Sequence, residues 1–115
     1  MGELYRECLK DTSGLRTQEE MSWAKSVYWM YSVELSPEIG LTAEEVRELL
    51  MKEGVETRPF FRGLHSQPAL KKLGFFKGEE YLNTEHAYKY GFYLPSGMTL
   101  KNSDVKLVTD KLKNI

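Results

Sequence analysis

The clearest pattern along the chain lies in residues 26–35, where every odd-numbered position from Val27 to Leu35 is apolar or aromatic. A period of two is typical of a β-strand, whose side chains alternate between the two faces of a sheet. The even-numbered positions include Tyr28 and Met30, so the second face is also partly apolar. We therefore predict a strand over residues 26–35 that lies inside a sheet and is covered on both faces.

A helix is predicted over residues 41–52. Thr42 has the chemistry of an N-cap, and Glu45 follows three residues later, which is the spacing of a capping box. Apolar positions then recur at helical spacing from Val46 onward. Gly54 lies where a left-handed turn ends a helix, so both ends of this element carry a local signal.

Shorter patterns, separated by proline and glycine, predict the remaining elements. The first is a weak helix over residues 3–10, and a strand over 54–58 that Pro59 ends follows the helix 41–52. Next come a short helix that is capped by Ser66 or Gln67 and stopped by Gly74, and a helix from Asn83 to Gly91. A strand over 92–94 and a last helix from about Asn102 complete the chain. The apolar face of the last helix consists of Val105, Val108 and Leu112, with Ile115 as an optional fourth member. After the weak first helix the order is β-α-β-α-α-β-α, which allows antiparallel pairing and predicts a small two-layer α/β sandwich.

Length and composition favour a single folded domain over residues 1–115. The chain is 41% hydrophobic and 29% charged, which is typical of a globular domain rather than a disordered segment. No apolar run approaches the ~18–20 residues that span a bilayer, and residues 1–10 lack the features of a signal peptide. We therefore expect no membrane association and a cytoplasmic location.

The charge balance argues against a nucleic-acid partner. The chain has 16 Lys and Arg against 17 Asp and Glu, whereas domains that bind phosphate backbones usually have a clear basic excess. The single cysteine, Cys8, excludes an internal disulfide and a cysteine-cluster metal site. His65 and His86 match no zinc signature, and the glycines match no phosphate-binding loop. We therefore predict no catalytic, cofactor-binding or metal-binding residue within this chain.

One segment, residues 56–69, combines residues suited to binding. It contains Arg58, Arg62 and His65 next to two phenylalanines, and Pro59 prevents it from continuing a strand. Arginine in such a loop suits bidentate recognition of phosphate or carboxylate groups. The alternative is structural: the two phenylalanines fill the core and the arginines extend along the surface.

Four stretches in this order carry a family resemblance. Residues 26–31 (SVYWMY) resemble an aromatic-rich strand, residues 54–61 (GVETRPFF) a "G-I-E-T-R-P" stretch, residues 64–69 (LHSQPA) an "L-H-x-Q-P-A" loop and residues 94–97 (LPSG) an "L-P-S-G" close. Together they resemble the C-terminal domain of the DegT/DnrJ/EryC1/StrS sugar aminotransferases, from about residue 3 to residue 113. Lys101 departs from the family's pattern, in which threonine or serine often caps the last helix, and Asn102 is the alternative cap.

The resemblance implies a fold and a reaction. The fold is the small domain of the aspartate-aminotransferase (type I) enzymes, an α+β two-layer sandwich of a short, largely antiparallel sheet with helices. The enzymes of this family use pyridoxal phosphate to convert nucleotide-linked 4-keto sugars into amino sugars, and the stretch around Arg58 is perosamine synthetase-like, which implies cell-surface polysaccharide biosynthesis. In the family the cofactor lysine lies in a preceding large domain, which 115 residues cannot also hold, so this C-terminal fragment is expected to bind no pyridoxal phosphate and to be inactive alone.

The resemblance also implies site residues and partners. Arg58 is expected to bind an anionic group, either a nucleotide phosphate or a cofactor-side oxygen, and His65 to hydrogen-bond the sugar or a neighbouring polar group. Gln67 is expected to bind substrate beside them, whereas His86 is expected to be structural or solvent-facing. The expected partners are the large domain, in cis or in trans, and a second copy of the chain. The alternative function is a free-standing, non-catalytic binding module derived from this domain.

Overall fold

A four-stranded antiparallel sheet lies at the centre of the computed structural model, which describes residues 1–115. The strands are β1 (Leu15–Thr17), β2 (Tyr31–Leu35), β3 (Arg58–Pro59) and β4 (Gly91–Leu94). The helices are α1 (Gly2–Leu9), α2 (Ala43–Lys52), α3 (Pro68–Lys72), α4 (Leu82–Tyr90) and α5 (Asn102–Lys113). The strands are arranged in the order β1-β2-β4-β3, so the predicted α+β fold with an antiparallel sheet is confirmed.

The register of the strands separates the two faces of the sheet. Val33 of β2 lies opposite Phe92 of β4, and both side chains are buried. Ser32 lies opposite Tyr93, which lies opposite Arg58 of β3. Since directly paired residues point to the same side, one face is apolar and the other carries polar and aromatic groups. We call the second one the polar face, which is formed by Arg16, Ser32, Glu34, Arg58 and Tyr93.

Fourteen buried apolar residues form the core on the other face. The helices α1, α2 and α5 supply many of them, including Tyr5, Leu9, Val46, Leu50, Val105, Val108 and Leu112. The predicted apolar face of α5 is therefore confirmed, except that Ile115 follows the helix and is exposed.

The local signals of α2 are confirmed at both ends. The backbone N–H of Thr42 donates to Glu45 Oε2 at 2.7 Å, and the N–H of Glu45 donates to Thr42 Oγ1 at 3.3 Å, which completes the capping box. The first of these bonds also holds the pKa of the Glu45 carboxyl below its usual value. Gly54 has a φ of +79°, as the left-handed turn after the helix requires.

The strand predicted over residues 26–35 is too long, because β2 begins only at Tyr31. Tyr31 is paired with Leu94, and Pro95 follows, which has no N–H to continue the ladder. On the other side, the Gln18 side chain accepts the N–H of Ser32 at 3.1 Å, so β1 does not extend either. The predicted position inside the sheet is confirmed, since β2 lies between β1 and β4.

Two further predictions need correction. The strand predicted over residues 54–58 is only the pair Arg58–Pro59, and proline is tolerated there because β3 is an edge strand. The three-residue strand β1 was not predicted at all. The last helix does begin at Asn102, but its N-cap residue is Lys101 rather than Asn102, and the Asp104 carboxylate accepts the backbone N–H of Lys101 at 2.9 Å. No helix has the length and apolar composition needed to cross a membrane.

Candidate functional site

A row of polar groups crosses three strands of the polar face. Ser32, Tyr93 and Arg58 are consecutive cross-strand neighbours on β2, β4 and β3. Gln18 extends the row, because its Oε1 accepts from both the N–H and the hydroxyl of Ser32 at 3.1 Å. The ladder of the sheet thus holds residues 32, 93 and 58 in one line, and the side chain of Gln18 extends this line through its hydrogen bonds to Ser32.

Aromatic side chains flank this row. The rings of Phe60 and Phe61 lie with centroids 4.6 and 5.9 Å from that of Tyr93, and burial raises the pKa of the Tyr93 hydroxyl. Phe60 is half-buried and Phe61 is exposed, so neither belongs to the core. The structural alternative, in which both phenylalanines fill the core, is therefore not what the structure shows.

A cavity of about 610 Å³ opens beside Arg58 and Tyr93. Its walls come from residues 54–58, the loop 94–97 and the first turns of α5, including Asp104. Met30 also lines it, so three of the four stretches that carry the family resemblance meet here. The Arg58 guanidinium is largely exposed, and its Nη2 lies 3.8 Å from Glu56 Oε1. Because an exposed pair at this distance contributes little, Arg58 is free to take another anionic partner.

His65 lies away from this cavity and is buried. Its Nε2 lies 3.1 Å from Glu85 Oε1 of α4, and its ring packs against Tyr81 with centroids 4.9 Å apart. A Cβ on Gly63 would lie 2.5 Å from His65 Cε1, so the loop closes tightly around the imidazole. The side chain therefore fixes the loop 62–67 to α4.

Gln67 also bonds within its own loop. Its Nε2 donates to the carbonyl of Arg62 at 3.5 Å, and the Arg62 guanidinium lies 5.7 Å from the ring centroid of Tyr88. Of the three predicted substrate-binding residues, Arg58 lines the cavity, whereas His65 and Gln67 do not.

Sequence reasoning missed several groups of this region. His86 Nε2 lies 3.1 Å from Glu34 Oε1, which places this pair on the polar face. Ser32 and Glu34 are two residues apart on β2 and therefore lie on the same face of the sheet. The alternating pattern of this strand could have predicted that both belong to the site. Tyr93 could not be found, because its proximity to Arg58 depends on the pairing of β3 with β4.

The residues of this chain do not fit pyridoxal phosphate. The cofactor needs a lysine that forms an imine and a carboxylate at the ring nitrogen. No lysine lines the cavity beside Arg58, and every lysine is exposed except Lys111, which is half-buried and paired with Glu53. The structure also contains no group of three or more His, Cys, Asp or Glu residues that could hold a metal ion.

Comparison with known proteins identifies the family to which this chain belongs. The family model for the DegT/DnrJ/EryC1/StrS aminotransferases matches residues 1–113, and the chain belongs to that family. Among curated proteins it is similar to EpsN of Bacillus subtilis (strain 168), whose name assigns it to the pyridoxal phosphate-dependent aminotransferases. The two are 27% identical over 112 residues, which are 96% of this chain and 28% of EpsN.

Solved structures confirm the fold. DesI, determined in the presence of its TDP-sugar product, is 26% identical and has a TM-score of 0.78 over 98% of this chain and 29% of DesI. PseC of Helicobacter pylori, an aminotransferase of pseudoaminic acid biosynthesis, has a TM-score of 0.84 at 15% identity, over 96% of this chain and 29% of PseC. The chain therefore spans less than a third of the length of these relatives, and the resemblance noted in the sequence is confirmed.

Proposed function

We propose that residues 1–115 form the small C-terminal domain of a pyridoxal phosphate-dependent nucleotide-sugar aminotransferase. The observation that carries the proposal is the family match over residues 1–113, combined with a coverage of only 28–29% of the relatives. The proposed large domain, in cis or in trans, supplies the cofactor lysine and the carboxylate that the residues of this chain do not provide. The small domain supplies substrate contacts from the polar face and its adjoining loop.

The proposed substrate is a nucleotide-linked 4-keto sugar that is converted into an amino sugar. DesI supports the nucleotide-sugar class, because its structure was determined with a TDP-sugar product. A perosamine-like product for cell-surface polysaccharides is the finer proposal, and it is supported by the resemblance of residues 57–61 (TRPFF) to perosamine synthetases.

Arg58 is the proposed contact to an anionic group of the substrate. It is exposed at the cavity, it is held only by the distant Glu56, and its planar guanidinium can donate two parallel hydrogen bonds to phosphate. His65 and Gln67 belong to the proposed substrate-binding set as residues of the adjoining loop. Because His65 is buried and bonded to Glu85, its proposed hydrogen bond is to this neighbouring polar group, and it positions the loop rather than contacting the sugar.

A chimeric enzyme tests this function. Residues 1–113 would replace the matched 28% of EpsN, and transamination of nucleotide-linked keto sugars would be measured once folding and cofactor content are verified. We expect an active chimera in which Arg58→Ala raises KM roughly 10- to 100-fold and changes kcat less, because a charge-assisted hydrogen bond is lost equally in the ground and transition states. Arg62→Ala is the matched control, since Arg62 does not line the cavity.

Two outcomes would count against the proposal. A folded chimera that binds the cofactor but transfers no amino group would favour the free-standing binding module. Unchanged kinetics in Arg58→Ala, with only a lower melting temperature, would make Arg58 structural.

The isolated chain should form no covalent adduct with pyridoxal phosphate. Protein and cofactor would be mixed, treated with borohydride and analysed by mass spectrometry, with intact EpsN as the positive control. A stoichiometric adduct at one lysine would contradict the assignment of cofactor binding to the large domain.

A further inference from the structure

The first turns of α4 face the loop 62–67, whereas the opposite side of this helix faces the sheet. The side chains toward the loop follow one another at helical spacing, and they are Tyr81, Thr84 and Glu85. His86 lies on the other side, where its Nε2 is 3.1 Å from Glu34 Oε1 of β2. No residue of α4 is buried, so the helix is held by side-chain contacts on both sides rather than by a core. The helix therefore connects the loop to the polar face of the sheet.

Glu85 forms the only hydrogen bond between α4 and this loop. Its Oε1 lies 3.1 Å from His65 Nε2, and because a carboxylate only accepts, Nε2 carries the hydrogen. The His65 side chain is 10% exposed and that of Glu85 is 57% exposed, so the buried ring depends on a carboxylate that reaches in from the surface. Without Glu85 the ring would hold an unpaired N–H, and it would have to turn toward water and move the loop with it.

The ladder of the sheet holds Arg58 only weakly. The strand β3 consists of Arg58 and Pro59 alone, it lies at the edge of the sheet, and Pro59 has no N–H to donate. Between residues 58 and 67, His65 is the one point at which a side-chain hydrogen bond ties the chain to another element. The direction in which the chain leaves β3 therefore depends on the bond between His65 and Glu85.

We propose that Glu85 is a positioning residue for Arg58. Its bond to His65 anchors the loop 62–67 to α4, and this anchor holds the Arg58 guanidinium in one orientation toward the cavity. Glu85 does not line the cavity, so it acts through the loop and not by touching the substrate. The inference rests on the proposed function, in which Arg58 contacts an anionic group of the substrate, and it adds a distant residue to that site.

The chimeric enzyme measures the effect on substrate binding. Glu85→Ala should raise KM roughly 3- to 10-fold and change kcat by less than about 2-fold, because a misplaced Arg58 loses a contact made equally in the ground and transition states. Glu85→Gln should keep KM within about 2-fold of the native value, since the amide oxygen accepts the same hydrogen. Glu48→Ala is the matched control, because it removes an exposed carboxylate from the middle of α2 and should leave KM unchanged.

A double variant shows whether Glu85 acts through Arg58. In an Arg58→Ala background, Glu85→Ala should raise KM no further, because the contact that it positions is already absent. Gly63→Ala breaks the same anchor without removing a charge, since its Cβ would lie 2.5 Å from His65 Cε1 and displace the ring. This variant should therefore reproduce the kinetics of Glu85→Ala.

Hydrogen–deuterium exchange of the isolated chain tests the anchor without any activity. The N–H groups of Ser66 and Gln67 donate to the carbonyls of Gly63 and Leu64 at 3.0 Å, so they report on the order of the loop. Glu85→Ala should accelerate their exchange and leave that of β2 unchanged, whereas Glu85→Gln should exchange like the native chain. Circular dichroism verifies that each variant is folded.

The outcomes separate this inference from the proposed function. Unchanged exchange of the loop in Glu85→Ala would overturn the anchor. An active chimera in which Glu85→Ala leaves KM unchanged, lowers only kcat, or adds its full effect to that of Arg58→Ala would overturn the positioning role. A native chimera that transfers no amino group would instead count against the proposed function, and the exchange measurement would then decide whether Glu85 anchors the loop.

Discussion

Replacing Gly91 by alanine tests the packing that positions the polar face. Gly91 begins β4, and an added Cβ would lie 2.4 Å from Phe60 Cε2 and 2.5 Å from the carbonyl oxygen of Ala87. The phenylalanine ring can rotate away, but the carbonyl cannot, because it accepts the N–H of Gly91 itself. With φ at −103° the backbone is acceptable for alanine, so the expected effect is steric.

The expected magnitude follows from two opposing terms. Forcing a methyl group into a closely packed site costs about 1–3 kcal/mol. Alanine also restricts the unfolded chain, which stabilises the protein by about 0.4–1 kcal/mol. Gly97→Ala is the matched control, because a Cβ at Gly97 meets nothing within 4 Å and only the second term applies. We therefore expect Gly91→Ala to be less stable than Gly97→Ala by about 1–3 kcal/mol.

Urea unfolding followed by circular dichroism measures this difference. With a dependence of about 1–3 kcal/mol per molar urea, the midpoints should differ by roughly 1 M. Adding Phe60→Ala to Gly91→Ala should recover part of the loss, because the two side chains compete for the same space, and a double-mutant cycle isolates that coupling. Equal midpoints for Gly91→Ala and Gly97→Ala would refute the packing of Phe60 and α4 against β4.

Three further predictions concern other parts of the chain. The hydrogen bond from the N–H of Ser26 lowers the pKa of the Glu20 carboxyl in the folded protein. This bond therefore stabilises the fold at pH values above the ordinary carboxyl pKa of about 4.3, and its contribution is lost as the pH falls through the lower folded-state pKa. The urea midpoint should therefore fall more steeply in acid for the native chain than for Glu20→Gln, and parallel curves would contradict this. Thr42→Ala should cost about 1 kcal/mol of unfolding free energy, whereas Thr42→Ser should retain the cap, and a neutral alanine variant would argue against the capping box. Leu50→Ala should cost about 2–5 kcal/mol in urea unfolding because Leu50 is fully buried, while Leu107→Ala on the exposed side of α5 should cost less than about 0.5 kcal/mol.

The sequence was a reliable guide where the signal is local. The capping box of α2 involves residues three apart, and Gly54 follows that helix directly. The apolar face of α5 is likewise set by helical spacing, which holds for Val105, Val108 and Leu112. Each of these features is set by neighbouring residues, so no knowledge of the tertiary structure was needed.

The remaining features depend on partners that are distant in sequence. The start of β2 at Tyr31 is set by Pro95, and the alternation over residues 26–30 is present although these residues lie before the strand, outside the sheet. The bond between His86 and Glu34 joins residues 52 positions apart, and that between His65 and Glu85 spans 20. The sequence alone identified Arg58 as a candidate binding residue. Its neighbour Tyr93 could be recognised only from the register of β3 with β4.

The packing of the first helix against the last one has a consequence for biosynthesis. The helix α1 lies against α5, and the Tyr5 hydroxyl donates to the carbonyl of Pro95 at 2.9 Å across 90 residues of sequence. The side of α1 that packs against α5 can therefore be covered only after Val105, Val108 and Leu112 have left the ribosome. During translation the ring of Tyr31 is available to Tyr5 early, whereas the neighbours that α5 supplies are absent until residues 105–112 have been made. Nascent chains interrupted before residue 102 should consequently depend on chaperones, since exposed apolar surface makes incomplete chains prone to aggregation.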